Sequence, residues 1–168
     1  MPRFFVEEIP EGEVYLGGED GRHVAKSLRM RPGETLTLCD GQGWDYPCTL
    51  VSTDGEGALV RVEDRQPSRG EPRTKVTVCQ CLAKGDKLDT VTQKSVELGA
   101  WEIWPVESSR CVVRLDGKSA GKKTARLQKI AREAAMQSGR GAIPRVLEPA
   151  PLKQALETAA KKGEILFF

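Results

Sequence analysis

Aromatic residues make up only 5% of this 168-residue chain, and histidine occurs once, at position 23. No apolar run approaches the roughly 18 to 20 residues that span a bilayer. The N-terminus, Met1-Pro2-Arg3-Phe4-Phe5-Val6-Glu7-Glu8, turns acidic after three apolar residues, unlike a signal peptide. These absences argue against a membrane or secreted protein, so a cytoplasmic location is expected. The five cysteines (Cys39, Cys48, Cys79, Cys81, Cys111) are odd in number and lack C-x-x-C spacing. With one histidine beside them they suggest neither a metal site nor a disulfide framework. They read as reduced, mostly buried thiols, with Cys79 and Cys81 two apart on one face of a strand.

Catalytic signatures are missing as well. No G-x-G-x-x-G opens a helix after a strand, no G-x-x-x-x-G-K-[ST] occurs, and a single histidine, in the other half of the chain, makes a Ser-His-Asp triad improbable. Dinucleotide, nucleoside-triphosphate and serine-hydrolase chemistry therefore lose their usual sequence support.

What is present is a chain of 30% charged and 39% hydrophobic residues, ordinary for a globular protein. Its formal charge of +2 averages two unlike halves. Residues 1–72 hold 8 Lys/Arg against 14 Asp/Glu, a net of −6, whereas 73–168 hold 18 against 10, a net of +8. The split suggests two units with different electrostatic duties, the basic one suited to a polyanion.

Patterning divides the chain at the same place. Three alternating segments, Glu34–Cys39, Trp44–Ser52 and Ala58–Arg65, are separated by Asp40-Gly41-Gln42-Gly43 and Thr53-Asp54-Gly55-Glu56-Gly57, which predicts antiparallel strands. Glu19–Met30 predicts one short helix ended by Pro32-Gly33. Residues 1–70 thus read as a small β-barrel with one helix. Gln66–Arg73, with two prolines and no large apolar residue, reads as a linker.

From residue 73 to 168 strand and helix alternate, which predicts an α/β domain with a parallel sheet. Thr74–Ala83 reads as a strand buried on both faces. Asp86 is placed to cap a helix reaching Leu98, stopped by Gly99. Trp101–Val106 reads as a strand and Lys122–Ser138 as a strong helix. A strand near Arg145–Leu147, a helix at Leu152–Lys162 and a strand at Glu164–Phe168 complete the pattern. Because the last strand is followed by nothing, the chain is expected to be the front part of a longer protein.

Polar residues collect in three places that a parallel sheet would be expected to gather at one edge: Lys84-Gly85-Asp86-Lys87, Glu107-Ser108-Ser109-Arg110 and Gln137-Ser138-Gly139-Arg140. The cations can hold phosphates or steady an anionic base. Equally, Lys84 and Lys87 can be solvated and Arg110 paired with a carboxylate. Lys94 and Glu97, three apart on a helix, can pair with each other, or Glu97 can orient an arginine. Arg3, Arg22, Arg29 and Arg31 surround His23, which reads as a structural or surface residue or else as an RNA contact.

Several spaced segments then agree with one family. Gln93-Lys94-Ser95-Val96-Glu97-Leu98-Gly99, Ile103-Trp104-Pro105-Val106, Ser109-Arg110-Cys111, Arg132–Arg140 and Ile143-Pro144 resemble the ribosomal RNA uridine-methylating family of the SPOUT class. Met1–Phe5 and His23 with Leu28-Arg29 and Pro32-Gly33 are similar to its N-terminal PUA-like domain. The resemblance implies a PUA-like RNA-binding barrel followed by a trefoil-knotted α/β domain that binds S-adenosylmethionine and forms a homodimer. The substrate implied is a uridine of 16S ribosomal RNA, methylated at ring nitrogen 3. Arg110, Glu97 and Gln137 become the candidate catalytic residues, with Arg3, Arg22, His23, Arg29, Lys84, Lys87, Lys94 and Arg140 as candidate RNA contacts. The family's Gly-Pro-Glu-Gly-Gly and Leu-Arg-x-Glu-Thr segments do not occur before Phe168, so the cofactor pocket is expected beyond it and residues 1–168 are expected to be inactive alone. Two other functions compete: a non-catalytic RNA-binding module, and a PUA-containing ribosome-assembly factor.

Overall fold

A computed structural model of the chain describes residues 1–161, so the strand expected at Glu164–Phe168 lies outside the described residues. Two compact units are present. The first comprises Met1–Glu71 together with Gly139–Ala142, and the second Pro72–Ser138 with Ile143–Phe168. The first unit is therefore not one continuous segment, because four residues from the basic half belong to it.

The first unit is a six-stranded sheet in the order β1-β3-β4-β5-β2, with β6 paired to β4. Its strands are β1 (Arg3–Phe5), β2 (Glu13–Leu16), β3 (Thr35–Cys39), β4 (Trp44–Thr53), β5 (Ala58–Val62) and β6 (Gln66–Pro67). The three expected strands are β3, β4 and β5, antiparallel as the turns between them require. The short strands β1, β2 and β6 carry no alternating run long enough to announce them. Strand β1 pairs in parallel with β3, and β2 antiparallel with β5. The helix is shorter than expected, α1 (Gly18–Arg22) running into a π turn at His23–Ser27. Phe4, Leu16, Val24, Leu36, Leu38, Cys48, Leu50, Ala58 and Val60 form one buried apolar cluster. Alternation explains the pairs Leu36/Leu38, Cys48/Leu50 and Ala58/Val60, since every second residue of a strand faces one side.

The second unit contains β7 (Thr77–Cys81), α2 (Lys87–Glu97), β8 (Glu102–Glu107), α3 (Gly117–Gln137), β9 (Arg145–Val146), β10 (Ala150–Pro151) and α4 (Leu152–Lys161). All its strand pairs are parallel: β8 pairs with β7, with β9 and with β10. Strands β9 and β10 meet opposite ends of β8, Arg145 facing Glu102 and Ala150 facing Val106. Trp104 Nε1 donates to the carbonyl of Glu148 at 3.1 Å, which satisfies backbone between the two short strands. The Gln128 side chain supports β9, accepting from Val146 N and donating to Pro144 O, both at 2.9 Å.

Three expectations need adjustment. Strand β7 is an edge among the described residues, with Val76 and Cys79 exposed, so its apolar run is not covered on both faces. Helix α3 starts at Gly117, five residues early, because Asp116 caps it by accepting from Ser119 N at 2.7 Å. Asp86 stands at the start of α2 without making a cap bond, and lies instead 3.4 Å from Arg126 of α3. Gly99 does stop α2, with a φ of 97° that favours glycine.

Candidate functional site

Parallel strands carry their binding residues beyond their carboxyl ends, because the loops there start from a rigid platform. Cys81 of β7 faces Val106 of β8, so the loops after both strands leave the sheet side by side. Between them is a cleft of about 360 Å³ lined by Cys81, Leu82, Lys84, Ser108, Arg110, Cys111, Val112 and Val113. Lys84 and Arg110 are exposed there, and neither makes a salt bridge among the described residues. The alternative of a carboxylate partner for Arg110 is not realised: Glu107 instead lies 3.5 Å from Arg114 and accepts from Leu115 N at 3.2 Å. Glu107 thereby fixes both ends of the loop that presents Arg110.

A thiol lines this cleft. Cys111 Sγ accepts from Ser108 N at 3.3 Å and lies 3.4 Å from Ser108 Oγ. Those bonds from Ser108, ahead of a smaller opposing effect of desolvation, hold the Cys111 thiol below its ordinary value. Sequence reasoning treated the cysteines as packing residues and missed this one. The only available signal was its place directly after Ser109-Arg110.

The other sequence candidates are not in this cleft. Helix α2 runs back from the carboxyl edge of the sheet to the start of β8, so Glu97 stands about 15 Å of helix from Lys87. There it lies 2.7 Å from Lys94 and accepts from Gln93 at 2.9 Å, the intrahelical pairing that their spacing allows. Lys94 and Gln93 hold the Glu97 carboxyl below its ordinary range, in that order of importance. Gln137 ends α3, eight residues before Arg145 meets the N-terminal end of β8. It borders a separate recess of about 230 Å³ between α2 and α3 with Asp86, Asp89, Gln93 and Glu133. Gln137 therefore does not join Lys84 and Arg110 in the cleft.

In the first unit the cations divide into buried and exposed sets. Arg3 forks onto Asp45, with bonds of 2.6 and 2.8 Å, and reaches Cys39 Sγ at 3.0 Å. Arg140 is 2% exposed and pairs with Glu71, its Nε at 3.2 Å and Nη2 at 2.7 Å from the carboxylate. Glu71 also accepts from Gly141 N and Ala142 N, at 3.0 and 3.1 Å. This arrangement binds the returning segment 139–142 to the first unit. A guanidinium enclosed in this way presents no edge to RNA, so Arg140 is a structural residue here, contrary to the expectation from sequence. Arg22, His23 and Arg29 remain exposed around α1 and its π turn. Arg22 lies 3.7 Å from Glu56, and His23 stacks edge-on to Phe4 with ring centres 6.1 Å apart. Lys87 is exposed at the start of α2.

Chemically, the cleft offers two cations, a hydroxyl and thiols, and so suits an anionic or carbonyl-rich ligand. No group of three or more metal-binding side chains occurs among the described residues, and no described helix is long and apolar enough to cross a membrane.

Residues 70–168 match a family model described as an RNA methyltransferase domain, and residues 16–63 one described as an RNA methyltransferase PUA domain. The ribosomal RNA small subunit methyltransferase E of Bacillus subtilis is 37% identical, covering 100% of this chain and 73% of its own length. The protein of that name from Mycobacterium tuberculosis is 36% identical over 85% of this chain, which spans 55% of that relative. Among solved structures, a ribosomal RNA small subunit methyltransferase E from Neisseria gonorrhoeae, bound to S-adenosylmethionine, superposes with a TM-score of 0.83. It is 39% identical, with 94% of this chain matched to 65% of that one. A Legionella pneumophila protein in complex with S-adenosylmethionine gives 0.82 at 31% identity, again over 92% of this chain and 65% of that one. With a family model over residues 70–168 and a relative 37% identical along the whole of this chain, the chain belongs to the ribosomal RNA small subunit methyltransferase E family.

Proposed function

We propose that this chain forms the RNA-recognising part of an S-adenosylmethionine-dependent methyltransferase that modifies ring nitrogen 3 of a uridine in 16S ribosomal RNA. The observation that carries the reading is the cleft holding Lys84 and Arg110 at the carboxyl edge of a parallel sheet, in a chain of this family. The protein would act in the cytoplasm as a homodimer through a trefoil-knotted domain, to which the second unit contributes. Exposed Arg22, His23 and Arg29 on the first unit, and Lys84, Lys87 and Arg110 on the second, are the proposed RNA contacts.

Uridine nitrogen 3 lies between two carbonyl groups. Removing its proton spreads negative charge onto both oxygens, and a nearby guanidinium or ammonium lowers the barrier by stabilising that charge. Arg110 is suited to this role because Glu107 fixes its loop while leaving its own charge unneutralised. When bound, S-adenosylmethionine supplies the methyl group from a sulfonium. The side chains of this cleft suit only that cofactor's carboxylate, because its sulfonium and ammonium need acceptors and the lining holds no Asp or Glu. They match the RNA, and their work is to bind and orient it.

Titration of a labelled uridine-containing fragment of 16S RNA across a range of salt concentrations tests the reading. Each phosphate neutralised contributes a slope of about 0.9 in log affinity against log salt for duplex and about 0.7 for single strands. The double variant Lys84→Ala/Arg110→Ala should lower the slope by between about 1 and 2. An unchanged slope and affinity would remove the cleft from the RNA site.

A further inference from the structure

The cleft contains a second chemistry that RNA recognition does not use. Cys111 Sγ, besides its bonds to Ser108, lies 3.9 Å from the carbonyl of Val106. Val106 is the registered partner of Cys81 in the neighbouring strand. The Cys81 thiol helps to hold Cys111 below its ordinary value, an influence exerted at short range, and both side chains line the cleft. Both are only half-buried, whereas Cys39 and Cys48 are enclosed in the first unit. Strand register, the approach of Cys111 to Val106 and the shared cleft lining therefore place these two thiols side by side at an accessible surface.

We propose that Cys81 and Cys111 are a redox-active dithiol that closes to a disulfide, tying the end of β7 to the loop after β8. The inference does not depend on the functional reading above. Cys111 is the attacking residue, because the Ser108 N–H and hydroxyl favour its thiolate and the cleft admits a small oxidant. The oxidant is a low-molecular-weight disulfide. Cys111 loses its proton, its sulfur bonds to one sulfur of the oxidant, and the other half leaves as a thiolate that takes up that proton. Cys81 then loses its proton and attacks Cys111 Sγ. This forms the protein disulfide and expels the second half, which is protonated in turn. The protein is oxidised by two electrons and the small disulfide is reduced to two thiols. Cys79, two residues before Cys81, is on the exposed part of the strand and is not part of the pair.

Oxidised glutathione is the probe. The chain is treated with it, denatured, alkylated at its remaining thiols and mapped by mass spectrometry. Two of the five cysteines should escape alkylation, in a peptide pair joining Cys81 to Cys111, and dithiothreitol should restore both. Cys81→Ser should instead trap a glutathione adduct on Cys111, a result that needs no internal crosslink and so serves even if the disulfide form is strained. Hydrogen exchange at residues 108–113 should slow in the oxidised form. Five alkylated cysteines after treatment, a crosslink through Cys79, or an adduct that forms on Cys81 in preference to Cys111 would each overturn the proposal.

Discussion

Glu71→Gln probes the anchor that holds residues 139–142 to the first unit. The native carboxylate accepts four bonds, two from Arg140 and one each from Gly141 N and Ala142 N. Glutamine preserves the shape and can still accept from the two backbone groups, but it leaves the Arg140 guanidinium, 2% exposed, without this counter-charge. Breaking a buried pair from one side costs about 3–5 kcal/mol. Glu71 is 19% accessible, and water reaching it reduces the cost to about 2–3 kcal/mol. At a urea slope of about 2 kcal/mol per molar, the midpoint should fall by about 1–1.5 M. The assay is urea unfolding read from Trp44 in a background with Trp101 and Trp104 changed to Phe, since Trp44 is the tryptophan of the first unit.

The pH dependence provides a second check. Burial raises the Glu71 carboxyl, but the Arg140 pair and the two backbone donors outweigh it and hold the group below its ordinary 4.5. A carboxyl depressed on folding stabilises fully above its unfolded value, and the contribution disappears as pH falls through the lower folded value. The gap between native chain and variant should therefore be constant from pH 7 to 5 and shrink below about 4.5. Replacing Arg140 by Met in the variant should recover part of the loss, because an apolar side chain brings no buried charge facing the neutral amide. Coincident midpoints at pH 7, or a gap unchanged at pH 3, would refute this account of the anchor.

Gly21→Ala should unfold the first unit or lower its melting temperature sharply, because an added Cβ would sit 2.1 Å from the carbonyl oxygen of Leu16, and circular dichroism melting reads this out. Leu127→Ala, at a fully buried position of α3, should cost the second unit about 3 kcal/mol, checked by urea unfolding followed through its own tryptophans. Thiol reactivity should be ordered. Burial pushes Cys39 up to about 12 and Cys48 up to about 11, so both should resist iodoacetamide in the native chain at pH 8, while Cys111 reacts first and at lower pH. Alkylation of Cys39 before Cys111 would contradict that order.

Local patterns were legible where residues within about four positions of each other determine the outcome. Alternation placed β3, β4 and β5, and the Gly99 stop followed from backbone sterics. The cation after each of β7 and β8 was also legible, since a strand followed by Lys84 or by Ser109-Arg110 has a definite polarity in a parallel sheet. Strands β1 and β2, of three and four residues, are too short to show a period and exist because β3 and β5 offer them hydrogen-bonding edges.

By itself, then, the sequence determined two units of opposite charge, their strand and helix classes and the family to which they belong, because composition, period and motif order are properties of the chain alone. Tertiary structure decided which candidates meet. It set Arg110 beside Lys84 and Cys111 beside Cys81, kept Glu97 and Gln137 out of that cleft, and enclosed Arg140 against Glu71, 69 positions away. The physical reason is that a charge's role depends on its distance to other charges and to water, and chain spacing does not encode either once contacts join residues far apart in sequence.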